Sequence, residues 1–96
     1  MRVIFERSGG FAGIRITKTI DIDTLPESER NQLQLLIEAA NFFKLPENIT
    51  SANPQPDRFH YQITVEKSQR QHRVIVSEQA VPDTLRPLLE WLMRVK

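Results

Sequence analysis

The chain has 96 residues, 40% of them hydrophobic and 26% charged, and no cysteine. That length supports one hydrophobic core, and without thiols the fold has no disulfide, no thiolate zinc site and no cysteine nucleophile. Thirteen Lys and Arg against twelve Asp and Glu leave a net charge of +1, which excludes the one-signed field that draws a protein to nucleic acid or to an acidic membrane.

The N-terminal Met-Arg-Val-Ile-Phe-Glu-Arg lacks the basic-then-apolar order of a secretion signal, and no run approaches the ~20 apolar residues that span a bilayer. The expected setting is the cytoplasm. From Arg2 to Ser8 the pattern alternates as a strand, with Val3 and Phe5 on one face and Arg2, Ile4 and Glu6 on the other. Ser8 to Gly13 is glycine-rich and reverses the chain, because glycine reaches positive φ at little steric cost. Gly13 to Ile20 then alternates again, grouping Ile14, Ile16 and Ile20, so the two strands read as a hairpin.

The period next becomes helical. Leu33, Leu36, Ile37 and Ala40 fall at i, i+3, i+4 and i+7, which predicts a helix from about Pro26 to Phe43, capped by Asp23 or Thr24. Pro46 to Asp57 is rich in Pro, Asn and Ser and reads as a long crossover loop. Arg58 to Lys67 alternates, with Phe59, Tyr61, Ile63 and Val65 on one face. Ser68-Gln69-Arg70 turns the chain, and His72 to Val76 returns as a second hairpin. Asp83 to Val95 places Leu85, Leu88, Leu89 and Leu92 on one helical stripe, with Thr84 as cap and Pro87 in the first turn. The order ββαββα predicts an α+β domain over residues 1–96: a four-stranded, largely antiparallel sheet with the helices on one face.

Catalysis finds no residues to carry it. His60 and His72 fall on opposite sides of their strands and do not converge on a metal. The glycines around Phe11 join two strands rather than opening a helix, so no helix dipole faces a phosphate. No cofactor is expected, and the chain reads as a non-enzyme. Lys67, Arg70 and Arg73 cluster at the second hairpin turn with Phe59 and Tyr61 on the adjacent strand, but these aromatics share a face with Ile63 and Val65 and read as core rather than as a stacking platform for bases.

The run Glu6-Arg7-Ser8-Gly9-Gly10-Phe11-Ala12-Gly13-Ile14-Arg15 resembles the signature hairpin of the emfourin family, proteinaceous inhibitors associated with protealysin, a thermolysin-like zinc metallopeptidase. The resemblance continues through Leu25-Pro26, Glu38 to Pro46, Asp57 to Tyr61 and Val81-Pro82 with Leu85 to Leu92. It implies a stoichiometric inhibitor that occludes the active-site cleft of an M4-type peptidase; the chain itself is expected to be a monomer, with no nucleic acid, membrane or cofactor. The alternative is a non-catalytic interaction module with a non-protease partner.

Thermolysin-like enzymes favour a bulky apolar side chain just after the scissile bond, in their S1′ pocket, so an inhibitor of this kind needs an apolar residue on a rigid loop. Asp23-Thr24-Leu25-Pro26 offers Leu25 for that pocket. Pro26 has no N–H to give and a fixed φ, which would slow cleavage. The rival is Gly9-Gly10-Phe11-Ala12, in which Phe11 is the apolar residue. With Arg7 pairing near Ile14 and Val3 near Lys18, the two loops lie at opposite strand ends, roughly 20 Å apart at 3.3 Å per residue. Only one of them can enter the cleft.

Overall fold

Alternating apolar residues produce the expected strands, and the computed structural model describes them within residues 1–9, 14–50 and 58–95. The strands are β1 (Arg2–Gly9), β2 (Ile14–Asp21), β3 (Asn48–Ile49), β4 (Phe59–Lys67) and β5 (Arg70–Ser77), and the helices are α1 (Glu27–Ala39) and α2 (Arg86–Arg94). The sheet order is β2-β1-β4-β5-β3. β1 is antiparallel to both β2 and β4, and β4 is antiparallel to β5.

The expected four-stranded sheet is corrected to five strands and a mixed one, because Asn48–Ile49 pairs in parallel with Ile75 and Val76. The backbone N–H of Ile75 donates to Glu47 O at 2.7 Å. The start of the Pro-rich segment thus covers the outer edge of β5, which would otherwise present unpaired donors and acceptors. The part of that segment from 51 to 57 lies outside the described residues.

Val3, Phe5, Tyr61, Ile63, Val65, Val74 and Val76 form the buried side of the sheet. Leu33, Ile37 and Ala40 of the first helical stripe and Leu85, Leu88, Leu89 and Leu92 of the second close over it in one core. Phe5 and Tyr61 stack across β1 and β4, ring centroids 6.1 Å apart. β2 carries an exception to its apolar pattern. Lys18 stands between Ile16 and Ile20 on the helix side, and its Nζ donates to the carbonyls of Leu92, Met93 and Val95 at 3.2, 3.1 and 2.6 Å. A strand lysine therefore adds charge and donors at the C-terminal end of α2, whose own last turn carries Arg94.

Three local expectations also change. α1 stops at Ala39 rather than Phe43, because Asn41 takes a left-handed φ of 50° and turns Phe42 into the core at 1% exposure. Neither Asp23 nor Thr24 caps α1, whose N-cap is Pro26; both belong to a separate 3-10 turn. Thr84 does not cap α2, which begins at Arg86 after Leu85. The first hairpin is also shifted by two residues. Arg7 pairs with Ile16 and Val3 with Ile20, an even shift that leaves every side chain on its expected face.

Candidate functional site

The chain leaves β2 at Asp21 and reaches α1 through a turn that its own side chains hold. Asp21 Oδ1 accepts the N–H of Asp23 at 3.1 Å, and the Thr24 hydroxyl donates to Asp21 O at 2.7 Å. Short oxygen-bearing side chains organise turns in this way because they reach backbone groups two or three residues on. The 3-10 turn Ile22–Thr24 closes with Leu25 N–H donating to Ile22 O at 3.2 Å. Ile22 is buried, and its N–H donates to Met1 O at 3.0 Å, tying the turn to the start of β1.

Leu25 and Pro26 then run extended, with φ/ψ of −82°/150° and −55°/152°. A residue before proline is driven out of the helical region by the pyrrolidine ring, so the Leu25 conformation follows from the sequence. Asp23, Thr24 and Pro26 are exposed. Leu25 is half-buried and packs against the core cluster, so part of its side chain is available and part is held.

The rival loop begins at the other end of β1. Gly10, Phe11 and Ala12 lie outside the described residues. Gly9 is the last residue of β1, paired with both Ile14 and Phe59. Its φ is +102°, and a Cβ there would sit 2.7 Å from Arg58 O, so both conformation and close backbone approach require glycine. Beside it the Arg7 guanidinium lies 4.8 Å from the Phe59 ring centroid. Burial raises the Tyr61 hydroxyl above the usual tyrosine value of 10.0, the Glu78 charge adds to the rise and Arg7 opposes it. Because Arg2 pairs with Asp21 and Gly9 with Ile14, the strand ends that lead into the two loops lie at opposite ends of the β1–β2 pair.

His60 is exposed on the open face, whereas His72 faces the helices, its Nε2–H donating to Leu45 O at 2.7 Å. Its ring meets Phe42 edge-on, with centroids 5.6 Å apart. The basic cluster read from the second hairpin divides. Lys67 pairs with Arg70 across the turn, while Arg73 pairs with Thr64, one of the residues of the other face. Lys44, which joins Lys67 and Arg70 around one groove, is missed by sequence reasoning, because it is distant in sequence and arrives only through the turn at Asn41. Leu35, 65% exposed on α1, is a single outward leucine of the kind common on protein surfaces.

A pinned, partly apolar turn and a basic groove thus lie at the same end of the sheet. The chain belongs to the emfourin family, whose model matches residues 5–93. Emfourins are an inhibitor family, so this is not an enzyme. Among solved structures, the chain is similar to emfourin from Serratia proteamaculans, an M4 family peptidase inhibitor, at 18% identity. That match covers 91% of this chain and 83% of the other, with a TM-score of 0.48. No curated protein matches the chain. No helix among the described residues is long and apolar enough to cross a membrane.

Proposed function

We propose that this chain inhibits a thermolysin-like zinc peptidase of the M4 class, one inhibitor to one enzyme, by placing the Asp23-Thr24-Leu25-Pro26 loop in the active-site cleft. Leu25 enters the S1′ pocket, Thr24-Leu25 lies across the catalytic zinc, and Pro26 follows one place further on. Asp23 stands close enough to approach the metal or a cleft arginine. Family membership supports the inhibitory role.

The observation that carries the choice of loop is its preorganisation: an extended Leu25-Pro26 pair follows a turn fixed by Asp21 and Met1. A cleft binds peptide in an extended form, and the Leu25-Pro26 pair, already in that form behind its fixed turn, avoids ordering costs of about 0.5–1.5 kcal/mol per immobilised side chain. The same rigidity slows hydrolysis, because a cleaved loop must first leave the geometry that α1 and β2 impose. Titration of thermolysin and protealysin with the wild-type chain tests the reading. Activity should fall linearly to an end point at equal concentrations, and mass spectrometry should show the Thr24-Leu25 bond intact after many turnovers' time. Full activity at excess inhibitor, or rapid cleavage at that bond, would overturn it.

A further inference from the structure

Between the end of α1 and the β4–β5 turn lies a groove of about 390 Å³. Ile37, Phe42 and Phe43 give it an apolar floor, and Met1 forms one side. Three cations, Lys44, Lys67 and Arg70, stand around it against the one carboxylate of Glu38. Among the described residues neither lysine has an acidic partner within ion-pair distance. Arg70 rests on an aromatic ring instead, its guanidinium 4.5 Å from the Phe43 centroid. In a chain whose net charge is +1, this is a local positive patch over an apolar base.

We infer that the groove is the second contact of the inhibitory interface, and that it receives an acidic surface segment of the target peptidase bearing an apolar side chain beside its carboxylates. The inference rests on the peptidase reading above and extends it from one loop to a surface. Area is the first argument. A stable protein–protein interface buries on the order of 800 Å² per partner, contributed by roughly 20–30 residues, and a four-residue loop falls well short of that.

Continuity is the second argument. Met1 holds the Ile22 N–H through its carbonyl and also walls the groove, so loop and groove adjoin at one end of the sheet. Charge is the third. Unpaired ammonium groups at a rim cost little to leave in water, and they accelerate the approach of an acidic surface. Arg70, already flat on Phe43, offers a guanidinium whose donors suit a carboxylate and whose stacking limits its freedom.

The test is the double variant Lys44→Glu/Lys67→Glu, assayed against thermolysin and protealysin in low salt and at about 0.5 M salt, where the Debye length falls to about 4 Å. Among the described residues neither lysine side chain makes a hydrogen bond or an ion pair, so the unfolding midpoint should match wild type. Inhibition should weaken about tenfold in low salt through slower association, and the gap should narrow in high salt. Arg73→Glu/Arg86→Glu makes the same charge change at exposed positions outside the groove and should inhibit almost as well as wild type. Wild-type inhibition by the lysine variant in low salt would overturn the groove while leaving the Leu25 loop in place. Equal losses in the two double variants would assign the effect to net charge and overturn it as well. Failure of the wild-type chain to inhibit either enzyme would overturn the peptidase reading and the groove together.

Discussion

At one end of the sheet the chain passes from β2 to α1 through a turn held by side-chain and backbone hydrogen bonds, with Leu25 and Pro26 extended behind it. At the other end Gly9 ends β1 with a positive φ, and a Cβ there would meet Arg58 O at 2.7 Å. Both ends therefore depend on particular residues, but for different reasons. The Leu25 end is built by polar groups that could change without unfolding the core. The Gly9 end is fixed by the packing of one backbone on another, which has nowhere to relax. Gly9, one residue of the glycine-rich run, thus meets a structural requirement.

Variants can separate these roles. The largest effect on stability should come from Gly9→Ala, where an unfavourable φ combines with overlap against a carbonyl oxygen, at a cost of about 3 kcal/mol. Its urea midpoint should fall sharply, while the remaining folded fraction inhibits with unchanged affinity. Lys18→Met should cost about 2 kcal/mol, because it removes charged donors from the carbonyls ending α2. Amide exchange in the last turn of α2 should accelerate, and the Leu25 loop should be unaffected.

Asp21→Ala should cost about 1 kcal/mol, as loss of a capping side chain does. It sharpens the contrast, since the freed turn should be cut by the peptidase between Thr24 and Leu25 where wild type resists, a change visible by mass spectrometry. The smallest effect belongs to pH. The folded-state pKa of Tyr61 is raised above 10.0, so the folded protein keeps the proton longer than the unfolded chain. Below the unfolded value the two states bind it equally. As pH rises from there through the folded value, stability falls. Denaturation curves recorded upward from about pH 10, the reference tyrosine value, should show this decline, and Tyr61→Phe should flatten it.

Much of the fold was legible because alternation survives in β1, β4 and β5, where burial of one face leaves a period-two pattern, and because both leucine stripes reach the core. β3 was not legible, since two residues carry no period and its pairing depends on Glu47 meeting β5. The shortened α1 follows from Asn41, whose left-handed conformation interrupts an otherwise continuous apolar pattern. Lys18 did leave a signal: a cation standing between Ile16 and Ile20 on the inward face needs acceptors there, and the end of α2 supplies them. Strand order alone placed the ends of β1 and β2 that lead into the two loops, and a register shift of two residues did not exchange them. The groove could not be read from sequence, because Lys44 and the Lys67–Arg70 pair meet only after the turn beyond α1 and the second hairpin have folded.

The central claim, that the Leu25 end of the sheet engages the peptidase, is tested most directly by the inhibition constant of Leu25→Ala beside that of Phe11→Ala. Truncating a buried interface anchor costs about 2 kcal/mol, roughly thirtyfold in affinity. Leu25→Ala should therefore fold and inhibit some thirtyfold more weakly, while Phe11→Ala should inhibit as wild type. A folded Leu25→Ala chain that inhibits as tightly as wild type would contradict the assignment.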